Sequence, residues 1–208
     1  QPAEETPPGG AKIIMESGIL DDVDAIFGIH VMTTAPLGTL GYHKGVTQAG
    51  RSYFKVRING KGGHGSMPHL SNDPIVAASY FVTGVQSIVS RRVNPLEAAV
   101  VTIGSFDGKG SFNVINDHVE LEGDVRTLSG EVREQVKEEF ESLLDGIMKA
   151  YKCTYDLTYS HDYPVLVNNP EMTELVINAV KNSGLSEVKD FLDCGQITGS
   201  EDMAYYLE

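Results

Sequence analysis

The sequence predicts a mixed α/β (α+β) fold in which a split β-α-β block, residues 46–162, interrupts a second unit made of residues 1–45 and 163–208. Three observations predict it. Between Ser52 and Tyr159 the apolar pattern changes period in the order strand, helix, strand, strand, helix, strand. After Pro164 that order breaks and a separately capped amphipathic helix begins. With 208 residues the chain can hold one large domain or two small ones.

The elements follow in order. Gly9-Gly10 leads into a short helix over 11–17, closed by Gly18. Asp24 to Val31 is an apolar run that reads as a buried strand, and Leu37 to His43 as a weaker one, with Lys44-Gly45 as a linker. Ser52 to Ile58 alternates, with Phe54, Val56 and Ile58 on one side and Tyr53, Lys55 and Arg57 on the other. A glycine-rich loop runs from Asn59 to His69. Asp73-Pro74 then opens a helix, with aspartate as N-cap, proline in the first turn, and Ile75, Val82, Val85 and Val89 as its inward stripe. That helix ends near Arg91-Arg92, where cations suit the dipole. Ala98 to Phe106 and Phe112 to Arg126 read as strands around the Gly108-Lys109-Gly110 turn. Ser129 caps a second helix with stripe Val132, Val136, Phe140, Leu143 and Ile147, and Thr154 to Tyr159 is the last strand. This is the ferredoxin-like order. Glu171 to Asn182 forms a further helix, and Glu201 and Asp202 cap a final one.

Composition narrows the function. A net charge of −13 excludes a nucleic-acid partner and an anionic membrane surface. No apolar run is long enough to span a bilayer, and no leader pattern is present. Cys153 and Cys194 lie outside any C-x-x-C pair and read as small buried hydrophobes in a cytoplasmic protein. The abrupt start and end read as a piece cut from a longer protein.

Two stretches near the front carry candidate chemistry. Gln1-Pro2-Ala3-Glu4-Glu5 sets adjacent carboxylates on opposite sides of an extended segment, so one can bind a cation while the other faces a water. Gly28-Ile29-His30-Val31 ends an apolar run on an imidazole. Carboxylate and imidazole together suit zinc or manganese. Taken alone, the glutamates fit a solvated loop and the histidine fits a packed core.

Further motifs change that balance: Gly60 to His69, Phe112-Asn113-Val114-Ile115, Gly123-Asp124-Val125-Arg126-Thr127, and Gly199-Ser200-Glu201-Asp202. With the first two stretches, in this order and spacing, they resemble the M20 metallopeptidase family, in particular its amidohydrolase branch. The resemblance spans the whole chain. It implies a ferredoxin-like satellite domain inserted into a partial α/β catalytic domain with a dinuclear site for two divalent metal ions, zinc or manganese. It implies Glu4 as general base, Glu5 and His30 as metal ligands, His64 as the satellite-domain histidine that holds the tetrahedral intermediate, and Asn113 and Arg126 as substrate contacts. The implied reaction is hydrolysis of a small N-acyl amino acid. The alternative is a non-catalytic dimerisation module. The family's H-x-C-G-H-D motif and its last histidine are absent, Asn116 stands where proline is common, and Met203 where phenylalanine is common. His69 reads as structural or exposed, and His43, His118 and His161 as surface residues. A homodimer through the satellite domain is expected. The uncovered sheet face, the sheet edges and the surplus apolar residues of the 73–92 helix (Ala77, Ala78, Tyr80, Phe81 and Ile88) offer partner surfaces.

Overall fold

The computed structural model describes Thr6 and residues 9–207. In chain order the elements are α1 (Gly9–Glu16), β1 (Thr39–Tyr42), β2 (Gly45–Gln48), β3 (Gly50–Asn59), β4 (Gly63–His64), α2 (Pro74–Arg91), β5 (Ala99–Asp107), β6 (Val114–Ile115), β7 (His118–Thr127), α3 (Gly130–Tyr151), β8 (Thr154–Tyr163), β9 (Leu166–Asn168), α4 (Pro170–Asn182) and β10 (Asp190–Asp193). Two 3-10 turns, Pro68–Leu70 and Asp202–Leu207, complete the set. The chain divides into two compact units, residues 51–162 and residues 1–50 with 163–208.

In the 51–162 unit the sheet order is β5-β7-β3-β8, so the two strands nearest in sequence to the unit's ends lie side by side. This is the ferredoxin-like topology. β3 alternates strictly, burying Ser52, Phe54, Val56 and Ile58 beneath the helices. Asp73 caps α2 as the sequence predicts, its Oδ1 accepting from the backbone N–H of Ile75 at 2.9 Å. Ser129 Oγ accepts from Val132 N at the start of α3. Phe140 of α3 lies 4.7 Å from Phe54 on β3, 5.0 Å from Phe81 on α2 and 5.7 Å from Tyr159 on β8, centroid to centroid.

Several expectations are corrected. The inward stripe of α2 is Ala77, Ala78, Phe81, Val85 and Ile88, while Ile75 is exposed. Four of the residues read as surplus are therefore core, and the fifth, Tyr80, stacks on Tyr151 at 5.2 Å. The stripe of α3 is Val132, Val136, Phe140, Leu144 and Met148, one position on from the predicted Leu143 and Ile147, which pack partly buried beside it. Phe112 to Arg126 is not one strand: β6 pairs with β4, and β7 starts anew at His118. Asp24 to Val31 forms no strand, and Ile29 and Val31 are 90% and 85% exposed. An apolar run becomes a strand only beside a neighbour that satisfies its backbone, and none of the described sheets includes this run. Cys153 is buried as expected, but Cys194 is exposed.

The sheet face away from the helices is a ladder of opposite charges. Lys55 Nζ lies 3.0 Å from Glu120 and 3.1 Å from Glu122, Arg57 Nη1 lies 2.7 Å from Glu120, and Arg126 Nε donates to Asp124 at 2.6 Å. Donating to Glu120 and then to Glu122 pushes the Lys55 ammonium up to about 12. Such a face is compatible with water and needs no partner to cover it. Unpaired backbone groups remain at the β5 and β8 edges.

His161, expected at the surface, is half-buried beneath α3. Its Nδ1 lies 2.7 Å from Ser52 Oγ, its Nε2 3.4 Å from Glu134, and its ring packs edge-on to Tyr159. Burial is the largest influence on the ring and, with the nearby Arg133 cation, pushes its pKa down.

In the other unit β1 pairs with β10 in parallel and β2 with β9 in antiparallel register. Asn169 caps α4, accepting from Glu171 N and Met172 N. Among the described residues, no helix is long and apolar enough to cross a membrane.

Phe140→Ala should destabilise the 51–162 unit by about 3–5 kcal/mol, because one ring fills the space between both helices and the sheet. Chemical denaturation followed by circular dichroism measures this. A depressed His161 pKa means that the unfolded chain binds the extra proton first. Stability is therefore full above the ordinary value of 6.5 and is lost as pH falls toward the lower folded value. His161→Gln should flatten the slope of denaturation midpoint against pH in that window and leave the slope above it unchanged.

Candidate functional site

The proposed base Glu4 and ligand Glu5 lie outside the described residues. Of the other predicted site residues, His30 falls in the 1–50/163–208 unit, and His64, Asn113 and Arg126 in the 51–162 unit.

His30 sits in the exposed irregular segment corrected above, so no ladder holds it. Glu201 holds it instead: His30 Nδ1 lies 3.0 Å from Glu201 Oε2. The carboxylate can only accept, so the proton is on Nδ1, and in the neutral ring Nε2 keeps its lone pair. The His30 side chain is about half exposed, whereas that of Glu201 is only 16% exposed. Two positions earlier, Gly28 packs so closely on Met203 that a Cβ there would meet Sδ at 3.2 Å. The turn that follows Gly199 thus docks on the histidine segment.

Asp202 corrects a second expectation. It is fully buried, and it caps a helix far from it in sequence: Oδ2 accepts from Ala11 N at 3.0 Å, at the start of α1. Gly9, at φ +78°, leaves room for this carboxylate, since a Cβ would stand 2.5 Å from Oδ2. Adjacent carboxylates thus face different tasks, Glu201 toward His30 and Asp202 toward α1.

His64 is held in the opposite tautomer. It forms the two-residue strand β4 with Gly63, paired with Ile115 and Val114 of β6. Ser66 folds back so that its backbone N–H donates to His64 Nδ1 at 3.2 Å and its Oγ lies 2.8 Å from the same atom. A backbone N–H can only donate, so Nδ1 is unprotonated and the neutral ring carries its proton on Nε2. Asn113 is brought to this loop by its backbone, its carbonyl accepting from Gly65 N at 2.8 Å. A Cβ on Gly65 would stand 2.9 Å from that oxygen, which explains glycine here.

Arg126 is elsewhere. It lies eight residues along β7 from His118, the end of the strand near β6. At ~3.3 Å per residue that is about 26 Å. His64 and Asn113 are therefore grouped at the β4–β6 pair, and Arg126 stands on the four-stranded sheet near the other end of β7, oriented by Asp124.

Two partners went unread in the sequence. Glu201 has no signal beyond its motif, because its role needs a contact 171 residues away. The Ser66 hydroxyl was legible in principle, as H-x-S allows a local ring contact. His43 and His118, read as surface residues, pair with Asp193 and Asp117, each at 2.6 Å. Among the described residues, no group of three or more His, Cys, Asp or Glu gathers as a metal site. His30 by itself fits a ligand position, with one ring nitrogen backed by a carboxylate and the other open.

Residues 46–152 match the family model of the peptidase dimerisation domain. The chain is 41% identical over its full length to N-acetyl-L-cysteine deacetylase of Bacillus subtilis, covering 49% of that protein. It is also 41% identical to N-acetyldiaminopimelate deacetylase of a Geobacillus strain, again along the whole chain and over 54% of the relative. A solved structure from methicillin-resistant Staphylococcus aureus superposes with a TM-score of 0.88 at 51% identity, over 100% of this chain and 53% of that one. The Bacillus subtilis YXEP protein, a dinuclear metal-binding peptidase of the M20 family, superposes at 0.77 and 32% identity, over 99% of this chain and 51% of that one. The chain spans about half the length of the relatives it matches. With the dimerisation-domain model covering half its residues and its neighbours drawn from one family, the chain belongs to the M20 peptidases.

Proposed function

We propose that this chain forms part of a metal-dependent amidohydrolase that cleaves the amide of a small N-acyl amino acid, releasing a carboxylate and the free amino acid. The observation that carries the reading is the opposed pair of histidine tautomers. His30 offers a lone pair, as a ligand must, and His64 offers an N–H, as a stabiliser of negative charge must.

Glu5 and His30 would hold part of a pair of divalent cations, zinc or manganese, which when bound polarise a carbonyl and acidify a water. Glu4 takes the water's proton on its carboxylate and delivers it to the leaving nitrogen. The Nε2–H of His64 donates to the oxygen that becomes negative, with Asn113 beside it. The guanidinium of Arg126, steadied at Nε by Asp124, suits the substrate carboxylate. The deacetylase names of two relatives support this substrate class. Both cysteines are free, which supports a cytoplasmic location.

The sheet's length bears on assembly. A small N-acyl amino acid is shorter than the roughly 26 Å of β7 between Arg126 and the strand end beside β6, which supports a reading in which His64 and Arg126 of one copy serve different substrate molecules. We propose a homodimer in which His64 of one copy completes the site to which the other contributes Arg126. A second reading, a non-catalytic dimerisation module, is favoured by the dimerisation model and by the lack of a three-donor cluster among the described residues. Under it, the complete protein would show no metal-dependent hydrolysis.

In the complete protein, Glu4→Gln should lower kcat for an N-acetyl amino acid by about 10²–10⁴-fold with metal content retained. Near-normal turnover would remove Glu4 from the base role. His64→Ala and Arg126→Ala should each be inactive alone. Co-refolded in equal amounts they should regain about a quarter of wild-type activity, because half the dimers are mixed and each mixed dimer has one intact site. No recovery would place both residues in the same site of a single copy.

A further inference from the structure

We infer that Glu201 is a positioning residue for the metal site: it fixes His30 in the Nδ1–H tautomer and aims the Nε2 lone pair outward. This rests on the proposed ligand role of His30. It goes beyond that role in assigning to the Ser200-Glu201-Asp202 turn the task of building the site, where the sequence suggested helix capping.

Three observations converge. First, His30 lies in backbone that no described strand pairs with, so its orientation must come from side-chain contacts. Among the described residues the hydrogen bond from its ring is to Glu201, at 3.0 Å. Second, the two partners differ in exposure. Glu201 is mostly buried and His30 about half exposed, so the fixed member is the carboxylate and the presented member is the ring. A surface ion pair would leave both ends mobile and contribute little. Third, the turn is anchored immediately after Glu201. Asp202 is buried against the N-terminus of α1, and Met203 packs on Gly28. The carboxylate of Glu201 is therefore delivered from an anchored turn to a segment that no described strand holds. A carboxylate behind an imidazole also raises the basicity of the open nitrogen and lowers the cost of orienting it.

The test uses the 208-residue chain with ¹⁵N-labelled histidine at about pH 8, where an unperturbed imidazole is neutral. His30→Ala identifies the His30 resonances. The expected result is a His30 ring with Nδ1 protonated and Nε2 unprotonated. Glu201→Ala should convert it to a mixture in which Nε2–H is populated, while Glu201→Gln, whose amide oxygen can still accept, should keep Nδ1–H. Matched circular dichroism spectra would show that each variant folds. In zinc titrations of the complete protein, Glu201→Ala should weaken affinity by about 10–100-fold, with Gln restoring part of the loss. A wild-type His30 with its proton on Nε2 would overturn the proposal, as would a Glu201→Ala protein with unchanged tautomer and unchanged zinc affinity. If zinc leaves the His30 resonances of the complete wild-type protein unmoved while Nδ1 is protonated, the ligand role of His30 fails and the positioning by Glu201 stands.

Discussion

Phe140 sits where every layer of the 51–162 unit meets. Its ring lies on Phe54 of β3, Phe81 of α2 and Tyr159 of β8. One side chain of α3 thus ties the second helix to two adjacent strands at once, and those strands are the ones through which the chain enters and leaves the unit. Aromatic rings packed edge-to-face and tilted fill such a junction with few alternatives. The positions of β7 and of the loops it carries follow from this junction, because β7 lies against β3. Arg126 at one end and the β4–β6 pair near the other are placed by that core.

How far the sequence could be read depended on whether the signal was local. The capping of α2 by Asp73, the alternation of β3 and the αββα order were written in neighbouring residues, and the structure agrees with them. The inward stripe of α2 was misjudged because small residues were undervalued. Ala77 and Ala78 let the helix approach the sheet closely, and bulk at Ile75 was mistaken for depth. The Asp24–Val31 run shows the opposite error: apolar character was read as structure, although a strand needs a partner that composition does not supply. β9 and β10 are short, and pairing across more than a hundred residues creates them, so no local pattern announced them.

The candidate site divides along the same line. His30 and His64 were visible as histidines in motifs, but what distinguishes them is which ring nitrogen is occupied. For His64 the occupant is two residues away, a short local loop. For His30 it is 171 residues away and depends on the turn after Gly199 docking correctly. Asp202 was likewise misassigned because the helix it caps comes at the other end of the chain. Residues of similar type in one motif thus serve separate partners, and only the folded arrangement separates them.

The charge ladder on the open face of the sheet has a consequence for the molecule as an electrostatic object. Its cations and carboxylates cancel in pairs, and the whole 51–162 stretch carries 12 Lys and Arg against 15 Asp and Glu. The remaining residues carry only 4 Lys and Arg against 14 Asp and Glu, so −10 of the net −13 resides there. The protein is therefore a nearly neutral block joined to a strongly anionic one. The anionic block is the one that holds His30, and its field raises the local concentration of small cations within about a Debye length, ~8 Å at physiological ionic strength. Under the proposed ligand role of His30, metal capture there would gain in rate from the surroundings before any ligand is engaged, and dilute salt would favour it over concentrated salt.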